Sequence, residues 1–370
     1  MRDCPLWLRS RRSLLILLCV LCVFETVGIA MGIRWALKCR SATRSRFAER
    51  LDRVVEESGL TQPAVQSDVE QRAASVTAGV YVDEIKDVSI RDLRCRLGFT
   101  VWFRWAESAG LTPEEILDFS VVNGRIESRE VEERLHRNQE YYLRCRVFAE
   151  VTVRWELDRF PLDHQQIVLA IEHTRKPRAE LRFQVDTGNS RISSRVAVPL
   201  WDVSELSIIE KPHAWQTGRG DPRQLNQSRV TWSQFRTIIS LVPRSWGYHV
   251  KLFQCTFIAV AIALAALLVP PHFVDPRFGL GVGGLFAAVA NSWVTQELIP
   301  DTGLMTLADL INFVSTLTIL LTILTSILSL HLQETFSQHS LSRSLDRGCF
   351  LLLAPGYLLF QFLLALFAAG

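Results

Sequence analysis

The chain has 370 residues, 48% of them hydrophobic, and a formal net charge of +3. So small and scattered a positive balance argues against a nucleic-acid partner. Its eight cysteines form no C-x-x-C series and no Cys/His cluster, so neither a metal nor another cofactor is expected.

The first element is apolar. Leu14 to Met31 follows Arg9, Arg11 and Arg12 and is interrupted by Glu25. The pattern is that of a signal peptide or signal anchor over residues 1–38, and with no convincing small-x-small cleavage site an uncleaved anchor is expected. Residues 39–75 read as a helical stalk or linker, with Phe47, Leu51, Val54 and Val55 at three-to-four spacing and a break at Gly59 and Pro63.

From Val76 the period changes to two. Val80–Val82, Leu97–Phe103, Val147–Val153, Ile167–Ile171, Leu181–Val185, Glu205–Ile209 and Val230–Val242 read as strands. Asn123-Gly124, Gly188-Asn189 and Gly218–Pro222 supply turns between them. Many short strands with such punctuation predict an immunoglobulin-like β-sandwich over residues 76–244. Cys95 and Cys145 fall in this region and are able to pair in an oxidising compartment, a point that geometry decides.

A bilayer core about 30 Å thick needs roughly 20 apolar helical residues. Phe253–Pro271, Phe278–Pro300, Leu307–Leu332 and Cys349–Ala369 each qualify, giving a four-helix membrane block over residues 245–370. Cys4, Cys19, Cys22, Cys255 and Cys349 lie in or beside apolar stretches and act there as small hydrophobes. The loop Pro300–Thr306 lacks Lys and Arg, whereas Arg277 precedes the second helix and Arg343 and Arg347 precede the fourth. By the bias of basic residues toward the cytoplasm, the Pro300–Thr306 loop and the β-domain face outside. Arg34, Lys38, Arg40, Arg44 and Arg46 run against this bias on the same outer side. The short loop after Leu332 leaves no room for a large cytoplasmic domain. A multi-pass protein of the cell (inner) membrane is expected, with lipid as a surrounding partner.

No Gly-rich phosphate loop, G-x-S-x-G or H-E-x-x-H occurs, so no enzyme reading competes. Arg219-Gly220-Asp221 matches an adhesion tripeptide by chance more readily than by function, and Asn226-Gln-Ser228 is a glycosylation sequon relevant only in a eukaryotic host.

Several motifs carry a family resemblance over about Val76 to Gly370. Phe160-Pro161-Leu162-Asp163-His164-Gln165 resembles the F-P-[FM]-D-x-Q signature of Cys-loop receptors. The positions matching the bridging cysteines of animal members are Val153 and Ile167, so that disulfide is absent, as in many prokaryotic members. Arg277-Phe-Gly-Leu-Gly-Val282 resembles the start of the family's pore helix, and Pro300 stands where the family's proline closes it. Arg244-Ser-Trp-Gly-Tyr248 is similar to the run before the first membrane helix. Val80–Val88 leading to Phe99–Trp105 is similar to the first two strands. The resemblance implies a subunit of a prokaryotic homopentameric ligand-gated ion channel, a receptor whose partners are identical subunits, a small-molecule or proton agonist and permeant monovalent cations.

On a helix from Phe278 to Leu298, steps of four and three align Gly279, Gly283, Phe286, Ala290, Trp293 and Glu297 as one stripe. Leu280, Leu285, Val289 and Ser292 are expected to pack against neighbouring helices. Around a five-fold axis Phe286 and Trp293 become apolar constrictions and Glu297 a carboxylate ring that favours cations, as does Asp275 if it faces the pore; Pro276 faintly resembles the inner-mouth proline of anion-selective members. The resemblance places coupling at Phe160, Pro161 and Asp163, the turn Asp87–Asp92, the loop Pro300–Met305 and Arg244, with Asp163 or Asp87 expected to pair Arg244. It directs attention to Trp102, Trp201 and Trp215 for ligand binding by cation–π contact, although a sandwich-core role suits each Trp at least as well. His173 and His213 are candidate proton sensors. The competing reading is a membrane-anchored β-sandwich sensor or binding protein with a non-conducting helix bundle, which requires Phe286, Trp293 and Glu297 to be buried packing residues. Gly-x-x-x-Gly and interfacial aromatics are otherwise common signs of helix packing and anchoring.

Overall fold

The computed structural model describes residues 11–52, 73–215, 230–301, 303–335 and 337–369. The Gly59/Pro63 break, the hairpin and tripeptide around Gly218–Pro222, and the Asn226 sequon lie outside them. The chain divides into two units: one holds Ser45–Trp155 and His164–Arg244, the other the chain up to Arg44, Glu156–Asp163 and Ser245 onward.

The first unit is a two-sheet β-domain. Its strands are β1 (Ala74–Ser89), β2 (Arg94–Ala106), β3 (Phe119–Val121), β4 (Gly124–Arg137), β5 (Glu140–Thr152), β6 (Gln165–His173), β7 (Leu181–Val185), β8 (Arg191–Ile192), β9 (Trp201–Trp215) and β10 (Val230–Pro243). One sheet runs β4-β5-β2-β1-β7, with β8 also on β1; the other runs β3-β6-β10-β9. Alternation along β2 buries Leu97, Phe99, Val101, Phe103 and Trp105 toward the core. Phe103 meets Phe119 and Phe183, and Phe183 meets Phe235, so aromatic rings from both sheets interlock. Every strand expected from the period of two is present.

β4 was not expected. Its Arg- and Glu-rich sequence is exposed or half-exposed throughout and carries no apolar alternation. It exists because it pairs with β5 along nearly its whole length, through a hairpin turn with Asn138 and Gln139 at positive φ. As an edge strand it presents charge, which discourages further pairing.

Cys95 and Cys145 are not bridged. Cys95 faces Val151 across the β2–β5 ladder while Cys145 faces Val101, six positions away on each strand. That offset is about 20 Å, far beyond the ~7 Å that a disulfide spans. Both are buried free thiols.

The second unit is helical. α1 (Arg11–Leu51) is followed after the β-strands by α3 (Gly247–Ala265), α4 (Val274–Leu298), α5 (Leu307–Glu334) and α6 (His339–Ala369); the short α2 (Pro113–Ile116) belongs to the β-domain. Five of these helices are long and apolar enough to cross a membrane. α1 is one 41-residue helix that runs through residue 38, about 62 Å long. No proline stands between Met31 and Cys39, and Gly32 is held within the helix, close against Phe360 of α6. Its last turns join the β-domain, where Lys211 of β9 donates to the Glu49 carbonyl at 2.8 Å and Arg50 to the Arg154 carbonyl at 3.4 Å. Lys211, held by this contact, is buried in the β9–β10 sheet, and Arg236 is buried on β10 beside it.

Within the helical unit α1 and α6 lie side by side and run the same way. Gly348, Gly356 and Gly32 leave no room for a Cβ against Leu18, Glu25 and Phe360 respectively, so contacts advance along both helices together. α6 begins ten residues before the expected Cys349, because Ser342, Leu345, Asp346 and Cys349 recur at helical spacing on a buried face. Arg343 and Arg347 therefore stand on a helix rather than in a loop.

Candidate functional site

α4 starts where its sequence permits. Pro276 occupies the first turn, where its missing N–H has no partner to lose. The helix ends before Pro300, which holds Ile299 extended at ψ 136°. At about 100° per residue, the stripe Gly279, Gly283, Phe286, Ala290, Trp293 and Glu297 falls on one side, and every member is exposed in the single chain. Phe286 is 73% exposed and Trp293 67%, values unusual for such large rings. Nothing lies within 4 Å of a Cβ placed on Gly279 or Gly283.

The packed side of α4 differs from the expectation. Leu280, Leu285 and Ser292 are only half-buried and Val289 is exposed. The buried stripe is Arg277, Gly281, Gly284, Ala288, Asn291 and Thr295. Small residues take this role because neighbouring helices approach closely: a Cβ on Gly284 would lie 2.7 Å from the Ala259 carbonyl oxygen of α3, and one on Gly281 2.9 Å from the Ile323 side chain of α5. Asn291 donates to the Leu252 carbonyl at 3.2 Å, and Asn312 of α5 donates to Thr295 at 2.8 Å. Arg277 reaches Asp346 of α6, a partner not foreseen from the sequence.

The segment Glu156–Asp163 belongs with the helices. Phe160 is buried and edge-on to Tyr248 of α3, and the Phe160–Pro161 peptide is cis. Asp163 closes the turn: its carboxylate accepts from the Arg159 N–H at 3.0 and 3.1 Å, and the Arg159 side chain lies 3.4 Å away. Arg159 in turn donates to the Ala368 carbonyl at 2.7 Å, satisfying an end group of α6, while Leu307 at the start of α5 donates to the Asp158 carbonyl at 2.9 Å. Arg40 and Arg44 of α1 lie within electrostatic reach of Arg159. This segment, the basic part of α1, the start of α5 and the end of α6 thus share one end of the helical unit.

The partner expected for Arg244 is corrected. Arg244, just past the end of β10, pairs with Asp202 of β9 at 2.8 Å, whereas Asp163 is taken by Arg159 and Asp87 by Arg96. Pro300 is half-buried beyond α4.

In the β-domain the three candidate tryptophans separate. Trp201 is buried and stacked on Trp155 at 5.6 Å, so it is a core residue. Trp215 ends the same strand against His213, about 46 Å of extended chain from Trp201. Trp102 alone lines a cavity of about 490 Å³, within the range of small-molecule sites. Its indole lies over Gly79, the residue opposite on β1, where any Cβ would collide with the ring. Its Nε1–H donates to Asp186 at 3.2 Å, as does Arg104 at 3.2 Å, and Asn189 donates to both oxygens at 2.9 Å. Burial opposes ionisation of Asp186, but these donors outweigh it and hold the carboxyl below its ordinary range. Tyr81, Tyr142 and the Arg144–Glu132 pair complete the rim. Asp186, Arg104 and Arg144 carried no signal in the sequence, since the topology of β2, β5 and the β7–β8 turn brings them together.

His173 is structural. Its Nδ1 accepts from the Arg175 and Lys176 amides at 3.1 and 2.9 Å, which leaves Nε2 to donate to the Glu115 carbonyl at 2.8 Å. Burial, more than any neighbour, pushes its pKa down. His213 lies 2.6 Å from Glu172. Among the described residues no cluster of metal-ligating side chains occurs. No known protein-family model and no curated protein matches this chain.

Proposed function

We propose that this chain is one subunit of a homopentameric, ligand-gated, cation-selective channel of the inner membrane, with its β-domain outside and α4 lining the pore. The observation that carries the reading is the two-faced character of α4. One side is committed to the chain's own helices through small residues and buried amides. The other leaves Gly279, Gly283, Phe286, Ala290, Trp293 and Glu297 uncovered. A face that opens with glycines and closes with Gln296 and Glu297 suits water better than lipid, because an ionisable side chain in hydrocarbon is costly. Copies gathered about an axis cover it, place Phe286 and Trp293 as constrictions that gate by dewetting, and set Glu297 as a ring that attracts cations. The exposure of these three side chains speaks against a bundle that buries them for packing.

The cavity at Trp102 supports an agonist site that reads small polar molecules through indole and phenol faces with charged groups at the rim. The Phe160–Asp163 turn, joined to the start of α5 and the end of α6, supports a coupling role for that segment. Purified protein in planar bilayers, scanned over pH and small amines in a sodium chloride gradient, tests the reading. Gated currents that reverse near the sodium potential support it, and reversal moving toward the chloride potential in Glu297→Lys identifies the selectivity ring. Absence of any current, or wild-type reversal at the chloride potential, contradicts it.

A further inference from the structure

The helical unit contains a cavity of about 480 Å³ between α1, α5 and α6. Its walls are hydrocarbon and aromatic, including Met31 and Trp35 of α1, Phe313 and Leu317 of α5, and Phe360 of α6. Three lining side chains are polar, and two are already committed. The Thr318 hydroxyl donates to the Val314 carbonyl at 2.8 Å, and the Tyr357 hydroxyl meets Ser315 at 2.8 Å. The third is Glu25, the only charged residue among those lining the cavity. No cation or hydrogen-bond donor among the described residues pairs with it; its carboxylate lies against Gly356, whose lack of a side chain makes the space.

Glu25 is eleven residues beyond Leu14, where the apolar stretch begins, so it stands about 16 Å along the helix, near the middle of a ~30 Å hydrocarbon core. A carboxylate at that depth demands a partner. We infer that this cavity takes a hydrophobic amine dissolved in the bilayer, with its ammonium on Glu25 and its hydrocarbon against α5 and α6. The volume fits a single-chain or compact molecule. The depth excludes a phospholipid headgroup, which stays at the interface. The inference concerns α1 and its neighbours and holds whether or not α4 lines a conducting pore.

Trp35 provides the readout. The full chain is reconstituted in phosphatidylcholine vesicles and titrated with 11-bromoundecylamine, whose bromine quenches indole fluorescence on contact, and with 11-bromoundecanol as the uncharged comparison. Saturable quenching by the amine, lost in Trp35→Phe and absent with the alcohol, is expected. Glu25→Gln should weaken the apparent affinity about tenfold, equivalent to roughly 1.4 kcal/mol. Because Glu25→Gln also alters the contact with Gly356, a second variant guards the result. Gly28 lines the cavity, and a Cβ placed there meets nothing within 4 Å, so Gly28→Leu adds hydrocarbon at the cavity wall and should abolish the saturable component. Equal quenching by amine and alcohol overturns the inference. So does unchanged affinity in either variant, displacement of the amine by phosphatidylethanolamine, or a mature protein that lacks α1.

Discussion

Asp346 of α6 holds the guanidinium of Arg277 in α4 with both carboxylate oxygens, at 2.6 and 3.0 Å, although 69 residues separate them. The side chains are 0% and 6% exposed, so solvent does not screen the pair. The Val269 carbonyl accepts a further bond from Arg277 at 3.0 Å, and Ser329 donates to Asp346 at 2.8 Å. Arg277 therefore points away from the exposed stripe of α4 and anchors the start of that helix to α6. Replacing one partner leaves a buried charge alone, a loss of about 3–5 kcal/mol, whereas replacing both by apolar groups of similar volume is close to neutral. Arg277→Met and Asp346→Leu should each lower the thermal unfolding temperature of the purified protein, and the double variant should recover most of the loss. A double variant as unstable as the sum of the singles would remove the pair from the account.

Asp163 closes the Arg159–Asp163 turn, whose segment carries contacts to both α5 and α6. Asp163→Ala should impair activation while assembly persists, and Asp163→Asn, which retains an acceptor for the Arg159 N–H, should impair it less. Agonist or proton activation measured by electrophysiology, with assembly checked by size, distinguishes these outcomes. Unchanged activation in Asp163→Ala would reject a coupling role.

Protonation of His173 would place a hydrogen on Nδ1 against two amide donors. Its folded-state pKa is depressed from 6.5, chiefly by burial, so the unfolded chain binds the proton more readily. The resulting stability is complete above the unfolded value and is lost as pH falls below about 6.5 toward the folded pKa. Thermal unfolding of the β-domain, followed by near-ultraviolet dichroism, should show that loss as pH falls from neutral through about 6.5. His173→Gln should be less stable at neutral pH but flatter across that range. An identical pH slope in both proteins would contradict the assignment.

Burial pushes the Cys95 thiol up to about 12 and Cys145 up to about 11, and the ladder keeps the two apart. In the native protein at pH 8 neither should be alkylated, while both react after denaturation; peptide mass spectrometry reads the difference. A peptide cross-linked through Cys95 and Cys145 would refute the register of β2 on β5.

Much of the architecture was legible because periodicity is local. Alternation announced the core-facing strands, and long apolar runs announced α3, α4 and α5. What escaped depends on distant partners. β4 is a strand because β5 hydrogen-bonds it, not because Arg and Glu favour one. In the polar start of α6, Asp346 can be buried because Arg277, 69 residues earlier, pairs with it. The packing face of α4 was misassigned because leucines were expected to pack, whereas the buried positions are small: Gly284 meets the α3 backbone at Ala259, Gly281 meets the Ile323 side chain, and Ala288 is buried beside them. The cavity at Trp102 gathers Asp186 and Arg104 from separate strands and turns, a juxtaposition that spacing along the chain does not encode.

The most direct test concerns the environment of Phe286. In a protein carrying Phe286→Cys, a membrane-impermeant cationic thiol reagent added during gated current should block conduction irreversibly if, as proposed, α4 turns this side chain toward the ion path. The same treatment should leave the current unchanged in the wild type and in Ala288→Cys, whose side chain packs inside the unit. If Phe286→Cys carries gated current that the reagent never alters, while Ala288→Cys is blocked, α4 presents the opposite face to the ions and the account fails.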